Sequence, residues 1–286
     1  MLIKKISLPL LILPFILINT LIVKKASGII PFYNIPYESE LEKESLSIGK
    51  SAYQLLYFGQ IKEALKLAKL AITLNNKSEE LWAILAEAQV ANNLKNDALK
   101  SLNEGKKINP KMSELYFAES SIYVSEKNYN KAKNAIQKGI KIDPENTSAI
   151  FQLGNIYLME EKYNKAIKSF IEALKFKNDF WQAKNNIGLA YFELGNIELS
   201  IKYFEEAIKV EQNAEPLLGL ATSIQNKERK KAIDLAKKAL LQDPKYVSNL
   251  YRKEQLWGEK IQEETKKLFK FKELEEDINF AKQYLK

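Results

Sequence analysis

The side chains that do most enzyme chemistry near neutral pH are missing from this sequence. Its 286 residues include no cysteine and no histidine, so thiolate nucleophiles, imidazole general bases, Cys/His zinc sites and disulfides are all excluded. Carboxylate pairs such as Glu205/Glu206 occur, but mid-helix in a pattern typical of a solvated face. Gly154, Gly188 and Gly195 do not have the spacing of a phosphate-binding loop. Lysine and arginine exceed aspartate and glutamate by 44 − 36 = +8. The only arginines are Arg229 and Arg252, and scattered lysines lack the planar fork that grips phosphates and guanines. These residues predict a non-catalytic chain with no cofactor, no metal, no small-molecule substrate and no nucleic acid. Its expected partner is a protein or a peptide.

The elements that would position such a partner are helical. Hydrophobic content is 46%, and only 10 glycines and 8 prolines leave few loops. Five consecutive windows of 34 residues begin at Ser45, Glu79, Ser113, Thr147 and Trp181, and a sixth, two residues shorter, begins at Glu215. Three columns hold only small residues. The first runs Ala52, Ala86, Ser120, Gly154, Gly188 and Thr222, and the second runs Ala64, Ala98, Ala132, Ala166, Ser200 and Ala232. The third runs Ala71, Gly105, Gly139, Ala173, Ala207 and Ala239. Small side chains at fixed intervals let antiparallel helices cross about 8–10 Å apart. Large residues fill complementary columns, among them Leu102, Ile136, Phe170 and Phe204, while Asn109-Pro110, Asp143-Pro144 and Asp243-Pro244 close second helices.

The stretches FQLGNIYLMEEKYNKAIKSFIEALKF and NNIGLAYFELGNIELSIKYFEEAIKV resemble the tetratricopeptide repeat (TPR) family, and the resemblance covers residues 45–246. It implies an all-α fold: an α-α superhelical solenoid of about six helix pairs, closed by C-terminal capping helices. More narrowly, FWQAKNNIGLAYFELGN, AEPLLGLA and LWGEKIQEETKKL are similar to cyanobacterial membrane-associated members linked to photosynthetic membrane biogenesis. The family resemblance also implies a groove lined by the first helix of each repeat, with positions 2, 5, 9, 12 and 13 facing inward. On this chain those positions include Tyr53, Tyr57, Phe117, Phe151, Asn155, Leu158, Asn185, Leu189 and Phe192. Aromatic rings beside backbone-bonding amides suit capture of an extended peptide or a helix. If Phe151 and Phe192 face a partner, replacing both with alanine is expected to weaken binding and leave melting unchanged. Position 5 carries no lysine or arginine, so the basic clamp of chaperone-binding relatives is not expected.

The termini complete the reading. Residues 6–23 are uncharged between Lys4/Lys5 and Lys24/Lys25, and read as a membrane anchor in preference to a cleaved signal peptide, within a segment 1–27. Residues 28–44, with Pro31 and Pro36, read as a linker. After the repeats, residues 247–257 read as a cap burying Leu250, Leu256 and Trp257, followed from Lys260 by one amphipathic helix through Leu285. The function expected is a scaffold or assembly factor at a membrane. The alternatives are an RNA-binding helical repeat and an exported soluble repeat protein.

Overall fold

The structure is a computed structural model that describes residues 37–284. The chain divides at Ser45, with residues 37–44 in one unit and Ser45–Lys286 in a second. Six helix pairs follow in order: α1 Glu38–Tyr57 and α2 Ile61–Leu74, α3 Glu79–Ala91 and α4 Lys95–Ile108, α5 Ser113–Ser125 and α6 Tyr129–Ile142, α7 Thr147–Met159 and α8 Tyr163–Phe176, α9 Trp181–Glu193 and α10 Ile197–Val210, α11 Ala214–Ile224 and α12 Arg229–Gln242. A 3-10 turn at Pro244–Val247, α13 Asn249–Glu254, α14 Glu259–Leu268, a second 3-10 turn at Lys272–Leu274 and α15 Glu275–Gln283 complete the described residues. The described residues contain no strand. This is an all-α solenoid.

From the second pair onward, each first helix packs on its own second helix and on the second helix of the pair before it. Several helices start where a side chain caps the free N–H groups of the first turn, at Ser78, Asn128, Asn146, Asn196 and Asn213. Within the first five pairs the turn is reproduced every 34 residues. Gly59, Asn93, Lys127, Glu161 and Gly195 all lie at φ between 57° and 82°. The next residue's N–H then closes the helix end, as in Leu94 N to Gln89 O and Lys162 N to Tyr157 O, both 2.8 Å.

The small-residue columns are explained by what they face. A Cβ on Gly154 would sit 2.4 Å from the Phe170 ring, and one on Gly188 would sit 2.8 Å from the Phe204 ring. Where the facing residue is the smaller Leu102, the same column holds Ala86, and both share one core cluster. The two columns compensate in size. Gly154→Ala is therefore expected to cost about 1–3 kcal/mol by overpacking. Adding Phe170→Leu should recover part of that loss, which paired urea denaturation curves would show as a non-additive double variant.

Three expectations need correction. The described chain is already helical from Glu38, inside the stretch read as linker, because Glu40 accepts the Tyr37 N–H at 3.1 Å and good helix formers follow. Leu250 is 67% exposed instead of buried in a cap. The long amphipathic helix is two helices, since its apolar residues serve two surfaces: α14 packs on the first helices α9 and α11, and α15 on the second helix α12. One straight rod cannot reach both.

The expected membrane association is also corrected. Among the described residues no helix is long and apolar enough to cross a membrane, and residues 6–23 lie outside the described residues.

Candidate partner-binding face

The nine expected groove residues meet different fates along the array. Tyr53 and Tyr57 on α1 are 53% and 84% exposed. With Leu56, and with Glu87 and Ala91 of α3, they line a cavity of about 200 Å³. Phe117 is half-buried, with its ring over Gly139 of α6, where a Cβ would come within 2.3 Å of it. Phe151 turns down between Phe170 and Phe180, with ring centroids 5.4 and 4.7 Å away. Leu158, Asn185, Leu189 and Phe192 are buried.

The amides are used internally. Asn186 Nδ2 donates to Asn155 Oδ1 at 2.9 Å, tying α9 to α7, and Asn185 Nδ2 donates to Asn186 Oδ1 at 3.1 Å. Phe192 is buried in the core and Phe151 is half-buried against two rings, so truncating either removes packing.

The cause of burial in the last two pairs is α14, which lies along α9 and α11. Leu189 and Phe192 share a core with Leu217, Trp257, Ile261 and Leu268. Polar contacts hold the helix at both ends. Its first turn has no side-chain cap of its own, since Gly258 stands at that position. Glu193 of α9 supplies one: its carboxylate accepts the N–H groups of Lys260 and Ile261 at 3.2 and 3.0 Å, and its carbonyl accepts the Lys260 ammonium. A negative charge at this end also complements the helix dipole. Gly258 permits the approach, because a Cβ there would lie 2.3 Å from the Glu193 carboxyl carbon. Farther along, the Thr222 and Thr265 hydroxyls meet at 3.0 Å, and Gln225 Nε2 donates to the Glu264 carbonyl at 3.0 Å.

Beneath the start of α14, Trp257 Nε1 donates to Glu215 Oε1 at 3.0 Å. Burial pushes the Glu215 carboxyl up to about 7, because a charged carboxylate is disfavoured away from water. Arg252 is 1% exposed, donates to the Tyr246 carbonyl at 2.5 Å and lies 5.3 Å from the Phe269 ring. Burial lowers its pKa to about 10. Sequence reasoning missed Glu193 and Glu215. Each had one signal, a carboxylate at or beside a groove-lining register in an otherwise apolar stretch.

Among the described residues no cluster of acidic side chains is placed to hold a metal ion. A helical array with one face open over its first four pairs and closed by its own helix over the last two defines a class, the helical-repeat interaction proteins. Sequence models narrow the class. The TPR repeat matches residues 154–195, and models described as tetratricopeptide repeat match 113–146, 135–168 and 181–213. Residues 113–213 of the chain are therefore tetratricopeptide repeats. No curated protein matches its sequence.

Solved structures share the fold. A pilF structure from Pseudomonas aeruginosa is 16% identical, covering 76% of this chain and 98% of its own, with a TM-score of 0.63. A MamA crystal structure is 24% identical over 56% of this chain and 94% of its own, at 0.52. YrrB, described as a TPR protein with an unusual peptide-binding site, is 19% identical over 65% of this chain and 97% of its own, also at 0.52.

Proposed function

We propose that the chain is a non-catalytic scaffold that binds a helix or extended segment of another protein on the first-helix face of pairs one to four. One observation carries this reading: the same face of pairs five and six already holds an amphipathic helix, α14, through apolar contacts flanked by polar ones. That is how a helix docks in a hydrophobic groove. Over the earlier pairs the corresponding register holds Tyr53, Glu87 and Ser121, all exposed, and the half-buried Asn155. YrrB, with its peptide-binding site, supports the reading by likeness of fold.

The test uses decapeptides selected from a random library against the full chain. Ser121→Trp places bulk in the middle of the open face, and is expected to weaken the selected peptides at least about tenfold, roughly 1.4 kcal/mol, with melting unchanged. Peptides that bind the variant as well as the parent chain would put the site elsewhere.

A further inference from the structure

The cavity between α1 and α3 sets one carboxylate among apolar and aromatic walls. Its walls are Tyr53, Leu56, Tyr57 and Ala91, and its one charged lining residue is Glu87. Among the described residues the Glu87 carboxylate forms no hydrogen bond or ion pair, whereas Glu119 on the next first helix is held by Lys106 at 3.0 Å and Glu160 by Lys133 at 2.6 Å. No lysine or arginine lines the cavity, in a chain whose net charge is +8. Solvent reaches part of Glu87, yet partial burial holds its carboxyl above the ordinary glutamate range. The walls make the anion less comfortable than a surface carboxylate.

An occupant that closed this cavity would strip the remaining water from Glu87. An apolar knob would then leave a carboxylate buried and unpaired, which is strongly unfavourable. A basic side chain reverses that balance. It provides a charge-assisted hydrogen bond to the carboxylate, and the tyrosine side chains that line the same cavity are of the kind that attracts a cation. A guanidinium is the better match, since it is planar, stacks on rings and forks onto a carboxylate. We propose that this cavity takes a lysine or arginine side chain, arginine foremost, of the bound peptide. The proposal rests on the scaffold reading above and adds the charge of the partner.

The same library selection against the full chain tests it. The selected peptides are expected to share one arginine or lysine amid apolar residues. Glu87→Gln should weaken them about tenfold or more, as loss of a hydrogen bond to a charged group does, and should leave the melting temperature unchanged. Replacing the peptide's arginine with citrulline should weaken binding similarly, and the two changes together should cost little more than either alone. Tyr53→Ala with Tyr57→Ala should also weaken binding. Selected peptides that lack a basic residue, ignore Glu87→Gln and are blocked by Ser121→Trp would overturn the basic-side-chain proposal and leave the scaffold reading standing. Peptides indifferent to all of these variants, or no selected peptide at all, would overturn both.

Discussion

Trp257→Ala is expected to lower stability by about 3–5 kcal/mol, the range for truncating a buried large aromatic. Trp257 is 3% exposed and sits in the core that joins α9, α11 and α14. Its ring lies 6.3 Å from Tyr246, and its indole N–H is bonded to a buried carboxylate. The substitution therefore opens a cavity and also removes a hydrogen bond from Glu215. Trp257→Phe separates the two effects in part, since it keeps most of the bulk while losing the N–H and a small part of the ring, for about 1–3 kcal/mol.

The loss should be local. Each unit of a repeat array contacts only its neighbours, so damage at one end propagates weakly. An early unfolding step confined to the C-terminal end is expected in urea, with amide protection lost first across residues 259–268. Uniform loss of protection along the array, or a change below about 1 kcal/mol, would mean that Trp257 does not anchor α14.

The helix pairs were legible in the sequence because their signal is local and repeated. A small residue against a large one at a fixed interval leaves few other packings, and Gly154 against Phe170 shows the fit at the level of a single ring. The outward or downward direction of an aromatic ring was not legible. Tyr53 and Phe151 both occupy registers that the family turns inward, yet Tyr53 reaches solvent and Phe151 drops between Phe170 and Phe180. The difference lies in neighbours distant in sequence. Phe180 closes over Phe151 from the loop before α9, and nothing in the residues 147–159 encodes that.

The return of α14 to the first-helix face was also hidden. The periodicity of residues 260–285 specifies an apolar stripe but not the surface that receives it, and the contacts that choose the surface come from Glu193, Thr222 and Gln225, 39 to 68 residues away. Glu193 occupies a groove-lining register of its repeat, which marks its position but not its partner. Its role as a cap appears only when Gly258, the residue that makes room for it, is brought alongside.

The stability of this chain is expected to fall as pH rises from about 4.5 to about 7, and Glu215 should be the main cause. Its carboxyl moves from an ordinary 4.5 up to about 7 because it is buried, against the hydrogen bond from Trp257 that favours its charged form. The sign is opposite to that of a salt-bridged carboxylate. Between those pH values the folded state holds a proton that the unfolded state has released, so raising the pH favours unfolding until Glu215 ionises in the fold as well. Above about 7 the dependence levels off, and the integrated loss is on the order of 3 kcal/mol.

Two features keep this window readable. The chain has no histidine, so no imidazole titrates there. The carboxylates that the fold holds low act below it. At Glu160 burial is outweighed by hydrogen bonds from Lys133 and Lys162, and Glu79 is lowered chiefly by Asn109. Their contributions are lost as pH falls below 4.5. Glu87, raised by burial in the same direction as Glu215, adds a smaller slope because solvent still reaches it. Glu215→Gln keeps an oxygen for the Trp257 N–H and cannot titrate, so urea midpoints measured from pH 4.5 to 8 should be nearly flat in that variant and fall in the parent chain. A slope that survives in Glu215→Gln would move the effect to another group, and a flat parent curve would mean that Glu215 is ionised throughout.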